Sequence, residues 1–189
     1  MLTADLLRSH FERGLTYDEY VATGSAAQRE SWAKALERIH LAPDQRALVG
    51  GFTRRMPVLV SSGIWCGDCS AQVPMLARIA QASPSVDLRI VDRDKHADLA
   101  ERIKICGGLR VPTAIFMAED HEFIGLMGDR TLSRYRAVAA KHLGAACPLP
   151  GAETPPDEVA ATLRDWVDEF ERAHLILRLS ARLRQKHGD

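Results

Sequence analysis

One stretch and its flanks constrain this chain more than any other feature. Pro57-Val58-Leu59-Val60 is a short apolar run rich in β-branched residues, the composition of a strand buried on both faces of a parallel sheet. Gly63 and Trp65-Cys66-Gly67-Asp68-Cys69 follow, and a helical pattern then runs to Gln81 with Val73, Leu76, Ile79 and Ala80 facing inward. A strand that feeds a helix here puts Cys66 at the helix N-terminus. Unpaired N–H groups and the macrodipole favour an anion there, so the thiol pKa falls and more of Cys66 is thiolate, the attacking form. Cys69 lies three residues on, on the same face, about 5–6 Å away between Cβ atoms. Small rotations close such a pair into a disulfide or leave it open.

The chemistry this spacing allows has two steps. Cys66 attacks a disulfide in a target to give a mixed disulfide; Cys69 then attacks Cys66 and releases the reduced target. Two other readings compete with it. A Cys-x-x-Cys pair is also half of a zinc site, which needs two more ligands, yet the sequence has no second such pair and no closely spaced His pair; His121, His142 and His174 are scattered. A purely structural pair would waste the strand-to-helix position. The chain has four cysteines in 189 residues, too few for a disulfide scaffold and in a chain long enough to bury a core unaided. Cys106, six residues before Pro112, reads as a small buried side chain or a regulatory thiol, and Cys147 as an incidental exposed one.

The rest of the pattern surrounds that stretch with alternating elements. Thr3 caps a short helix through Phe11 that Gly14 stops, and Thr16 with Glu19 has capping-box spacing for a second helix from Tyr17 to Thr23. Ser25 or Ser31 opens a third, with Trp32, Leu36 and Ile39 on one face and Pro43 limiting it; Gln45 to Val49 adds a turn. Beyond Pro84, Leu88 to Val91 reads as a second strand and His96 to Ile105 as a helix ending at Gly107-Gly108. Pro112 to Met117 and His121 to Met127 are strands joined by a Glu119-Asp120 turn, and a helix follows from about Thr131 to Leu143. The order βαβαββα predicts an α/β fold with a mixed sheet flanked by helices. The predicted organisation is a helical extension packed on the core over residues 1–56, a redox unit over 57–144, a proline-rich linker over 145–156 and an amphipathic helix over 157–189.

That last helix carries an apolar seam, Leu163, Trp166, Phe170, Ala173 and Leu177, at alternating spacings of three and four. It packs on the N-terminal helices through Trp32 and Leu36, or pairs with a second chain as a homodimer. Acids cluster from Asp157 to Glu171 and bases from Arg172 to Lys186, which suits the helix dipole.

The segment around Cys66 resembles the thioredoxin superfamily. Trp65-Cys66-Gly67-Asp68-Cys69 matches the Trp-Cys-Gly-Pro-Cys site of thioredoxins except at Asp68, Pro74 matches the proline that kinks the active-site helix, Val111-Pro112-Thr113 looks like the cis-proline segment, and Gly128 fits the glycine beside the substrate groove. The Trp-Cys-Gly-Asp-Cys form with helical additions is similar to a bacterial group larger than thioredoxin itself. The resemblance implies a thioredoxin-like fold and a cis Pro112 packed on the cysteines. It also implies a Val111 backbone that pairs with an extended target and a Trp65 that covers the dithiol. Thioredoxins have a buried acid five residues before that tryptophan, and this chain has Val60 there. Asp68 is expected either to raise the Cys66 pKa and accept the Cys69 proton, or to be a solvated carboxylate of little effect.

Charge and hydropathy narrow the setting. With 25 basic and 25 acidic side chains, nothing draws the whole chain to nucleic acid or an anionic membrane. No apolar stretch approaches the roughly 20 residues a spanning helix needs. Asp5, Arg8, Glu12 and Arg13 interrupt the place of a signal peptide, so a cytoplasmic setting is expected. The expectation is therefore a thiol–disulfide oxidoreductase with Cys66 and Cys69 catalytic and Trp65, Gly67, Asp68, Val111, Pro112, Thr113 and Gly128 shaping the site. It needs no cofactor beyond its own disulfide; its partners are disulfide-containing proteins and an electron donor the sequence does not name. The competing class is a non-enzymatic redox sensor or interaction module on the same fold.

Overall fold

Seven consecutive buried residues make β1, Met56–Ser62, the centre of the molecule. In the computed structural model, which describes residues 1–143 and 156–188, β1 pairs in parallel with β2, Val86–Asp92, from Met56 opposite Val86 to Ser62 opposite Asp92. Parallel pairing needs a crossover, and α5, Gly67–Ala82, supplies it. On its other edge β1 meets β3, Thr113–Met117, antiparallel, and β3 meets β4, Phe123–Gly128, giving a four-stranded mixed sheet in the order β2-β1-β3-β4. This is the expected class, with added helices at both ends.

Because strand side chains alternate, the sheet has two apolar faces. Val58, Val60, Ile90, Ala114 and Phe116 join one core; Leu59, Val91, Ile115 and Met117 join a second, smaller one, which Leu7 and Phe11 of α1, Ala4–Glu12, close. Backbone bonds in both directions between Leu15 and Ile90, at 2.9 and 2.8 Å, tie the chain after α1 to the β2 edge. From there α2, Tyr17–Ala22, and α3, Ala26–Glu37, start at Thr16 and Ser25 with capping boxes completed by Glu19 and Gln28. Ser31 lies inside α3, and Pro43 begins α4, Pro43–Gly50, where its missing N–H costs nothing, rather than limiting the helix before it.

Three expectations change. The helix read from His96 to Ile105 is only one turn, α6, Ala97–Ala100. The chain then turns tightly, with Ile105 and Gly108 bonded in both directions at 3.1 and 3.0 Å around Cys106 and Gly107, both at positive φ. The terminal helix is two: α8, Glu158–Leu179, and α9, Ala181–His187, separated at Ser180, whose extended backbone (ψ 112°) ends one while its hydroxyl caps the next. The seam on α8 is buried along its length, in part as expected against an N-terminal helix, α4, but also against α5, β4 and α7, Leu132–Leu143. Phe170 meets Phe116 edge to face at 5.1 Å, whereas Trp32 packs on Tyr20 at 5.6 Å. The seam that suggested a homodimer is thus filled from within. The linker read over 145–156 lies almost wholly outside the described residues, as does Cys147.

The charge asymmetry of the last helices suits their dipoles, with Glu158 in the first turn of α8 and Arg184, Lys186 and His187 in the last turn of α9, and it has a further partner. Asp120, in the β3–β4 turn, takes Arg182 bidentately and Lys186 at 3.3 Å, while Glu119 takes His187 and Arg54. The basic end of the chain is docked on the acidic hairpin turn.

Candidate active site

β1 ends in two buried serines, Ser61 and Ser62, and the chain then crosses from sheet to helix in four residues, Gly63 to Cys66. Two contacts from the N-terminal helices hold this crossing. Trp32 Nε1 donates to the Ile64 carbonyl at 3.2 Å, and Gly24 lies so close to Ile64 that a Cβ there would stand 2.9 Å from its side chain. Cys66 then serves as N-cap of α5. Its Sγ accepts the Cys69 N–H at 3.4 Å, and its thiol lies 3.7 Å from the Val111 carbonyl it can donate to. Cys66 is half-buried and Cys69 wholly buried, with the Gly63 N–H donating to Cys69 Sγ at 3.4 Å. Gly67 faces open space.

The two thiols are electrostatically unequal. A hydrogen bond from the Cys69 thiol, with backbone N–H donors at the helix start, brings Cys66 down to about 6 against the opposing effect of burial. Burial first, and the partner thiolate next, push Cys69 far up. At neutral pH one sulfur is mostly thiolate, and the other stays a thiol until something removes its proton.

Pro112 follows Val111, whose carbonyl lies beside Cys66 Sγ. The Val111–Pro112 peptide is cis, Val111 is buried, and Thr113 Oγ1 donates to the Arg110 carbonyl at 2.9 Å. Gly128 completes this wall, because a Cβ there would sit 2.6 Å from the Pro112 oxygen and 2.7 Å from Thr113 Oγ1. Gly128–Asp129 is also cis, and Gln72 of α5 donates to the Asp129 carbonyl at 2.9 Å, tying the wall to the active-site helix.

Trp65 is 53% exposed, lies over Gly63 and carries the Arg93 guanidinium 4.8 Å from its ring centre. Asp68 is neither solvated nor turned to Cys69. Its carboxylate is held by Arg130 at 2.5 Å and by Arg134 at 3.0 and 3.1 Å, with Arg134 also reaching Glu158. Asp68 still raises the Cys66 pKa, but as the smallest of the effects on it. The two arginines were missed; the signal was the acid itself, since a carboxylate replacing proline on a packed helix needs a cationic partner. Cys106 is exposed rather than buried. Among the described residues no group of three or more His, Cys, Asp or Glu is placed to hold a metal, and no helix is long and apolar enough to cross a membrane.

The sequence pattern of the family described as Thioredoxin matches residues 14–140, taking in α2 to α6, the whole sheet and most of α7. The chain belongs to the thioredoxin family. Thioredoxin-1 of Saccharomyces cerevisiae is 25% identical over 76 residues, which cover 40% of this family member and 71% of that one. Among solved structures, a protein of unknown function from Pseudomonas aeruginosa superposes with a TM-score of 0.70 at 18% identity, covering 92% of this chain and 97% of its own. An HIV epitope scaffold follows at 0.61 and 21%, covering 90% and 96%. These two show a shared fold that includes the added helices.

Proposed function

We propose that this chain is a thiol–disulfide oxidoreductase that uses Cys66 as nucleophile and Cys69 as resolving thiol, in the bacterial thioredoxin-like group with a Trp-Cys-Gly-Asp-Cys site. The observation that carries the reading is the asymmetry of the pair: a half-buried, low-pKa sulfur at a helix N-terminus beside a buried, high-pKa one. Membership of the thioredoxin family supports it, since such proteins act generally on disulfides with the help of a reductant.

Substrate enters over Cys66, between the open side of Gly67 and the Pro112 wall. The Cys66 thiolate attacks one sulfur of a target disulfide in line with the departing sulfur, forming a mixed disulfide and expelling a thiolate. Cys69 then loses its proton and attacks Cys66, which forms the Cys66–Cys69 disulfide and frees the reduced target. No cofactor is required beyond that disulfide, and an electron donor of unidentified kind must return it to the dithiol. The Val111 backbone pairs with the target segment as an added strand, and residues 57–144 carry the exchange unit in a reducing, cytoplasmic setting.

Catalysed reduction of insulin by a small dithiol tests the proposal. Wild type is expected to turn over and Cys66→Ser to lose activity; absence of turnover in the wild type would move the chain to the sensor class.

A further inference from the structure

Directly behind the resolving cysteine lies a pair of hydroxyls that the exchange scheme leaves idle. Ser62, the last residue of β1, and Tyr20 of α2 are 0% and 1% exposed, and both hydroxyl oxygens are buried without a hydrogen-bond partner. They are not scattered. Tyr20 and Cys69 share one buried cluster, the Gly63 N–H next to Ser62 reaches Cys69 Sγ at 3.4 Å, and the Ser62 hydroxyl influences both the Cys69 thiol and the Tyr20 hydroxyl without closing to hydrogen-bond geometry. The titratable groups facing Cys69 are Cys66 on its own helix and Tyr20; Asp92, cross-strand partner of Ser62, faces Tyr20 in turn. Val60, where a thioredoxin would have its buried acid, is fully buried and apolar.

A buried hydroxyl left unpaired is costly in the resting protein. An interaction that becomes complete only when charge develops stabilises the reacting state over the resting one. We infer that Ser62 and Tyr20 form a donor chain that closes onto Cys69 as it ionises, with Ser62 meeting the sulfur beside the Gly63 N–H and Tyr20 acting through Ser62 as a positioning residue. In the mixed disulfide the Cys69 proton leaves to the departing target thiolate or to solvent. Ser62 then donates to Cys69 Sγ and Tyr20 donates to Ser62 Oγ. The anion attacks Cys66, the Cys66–target S–S bond breaks as the Cys66–Cys69 bond forms, and the electron pair departs with the target. An N-terminal helix thereby reaches the chemistry, which no residue of the Cys-x-x-Cys segment reveals. The inference rests on the dithiol exchange proposed above.

Stopped-flow reaction of the reduced protein with one equivalent of dithiobis(nitrobenzoate) tests it, because attack by Cys66 releases one coloured thiolate and attack by Cys69 a second. Tyr20→Phe and Ser62→Ala each remove one oxygen. Both should leave the first phase and the thermal midpoint of the reduced protein undiminished, slow the second phase about tenfold for Ser62→Ala and less for Tyr20→Phe, and move its pH midpoint upward. A wild type that never releases the second equivalent overturns the exchange itself and the donor chain with it. Two normal phases in the wild type, with the second and its pH profile unchanged in both variants, overturn the donor chain alone. So does a slowing confined to a variant whose midpoint has dropped.

Discussion

Cys66 gains its reactivity from three donors: the Cys69 thiol and the backbone N–H groups at residues 68 and 69. Its lowered pKa sets the sign of the pH response. Thiolate is present above about 6 and is lost as the pH falls through that value, whereas an ordinary thiol needs a pH near 8.5. The rate of Cys66 alkylation by iodoacetamide should therefore rise through a midpoint near about 6. Asp68→Asn adds a second expectation. It removes the anion opposing the thiolate and releases two arginines from their partner, so the midpoint should fall further. The same change should cost about 1–3 kcal/mol of stability, since charge-assisted bonds are lost from a partly buried cluster. An unchanged midpoint would show that Asp68 is without influence on Cys66.

Elements explain why the sequence was readable in some places and silent in others. Strands and helices announced themselves wherever one local rule sufficed: the β-branched run of β1, the capping pairs at Thr16–Glu19 and Ser25–Gln28, and the alternating spacing of α8. The position of Cys66 at a strand-to-helix junction followed from the same rules. What periodicity omits is the partner. It showed that Phe170 is buried but not that it meets Phe116 of the sheet. A stretch of ordinary helix formers after His96 was overruled by the reversal at residues 105–108. Long-range polar pairs such as Asp68 with Arg134, or Asp120 with Arg182, leave no local trace. Phe170→Ala should cost about 3–5 kcal/mol in denaturant unfolding, because the ring packs on the sheet side chain Phe116. A loss below about 1 kcal/mol would mean that α8 is not part of the cooperative unit.

At the scale of the molecule, the added helices are joined to the thioredoxin-like core at both ends. α3 holds the loop before Cys66 through Trp32, α8 covers the back of α5, and α9 closes on the β3–β4 turn. The zero net charge conceals this last contact, in which bases at the chain's end meet acids more than sixty residues earlier. Arg182 and Lys186 hold the Asp120 carboxyl well below its ordinary range. Its contribution is therefore complete above the unfolded carboxylate pKa of about 3.9 and is lost as the pH falls through the lower folded value. Asp120→Asn should destabilise at neutral pH by under about 1 kcal/mol, because the pair is largely exposed and screened. The difference from wild type should shrink in salt and below pH ~4; a difference constant with pH would exclude the ion pair as its source.

The central claim is the division of labour between the two sulfurs. Trapping tests it most directly: reduced wild type, Cys66→Ser and Cys69→Ser are each mixed with a disulfide-linked peptide and read by intact mass. The account predicts a stable peptide adduct on Cys69→Ser, none on Cys66→Ser, and in the wild type no adduct but the loss of two hydrogens as the Cys66–Cys69 disulfide forms. A lasting adduct on Cys66→Ser, or a wild type that retains its peptide, would contradict it.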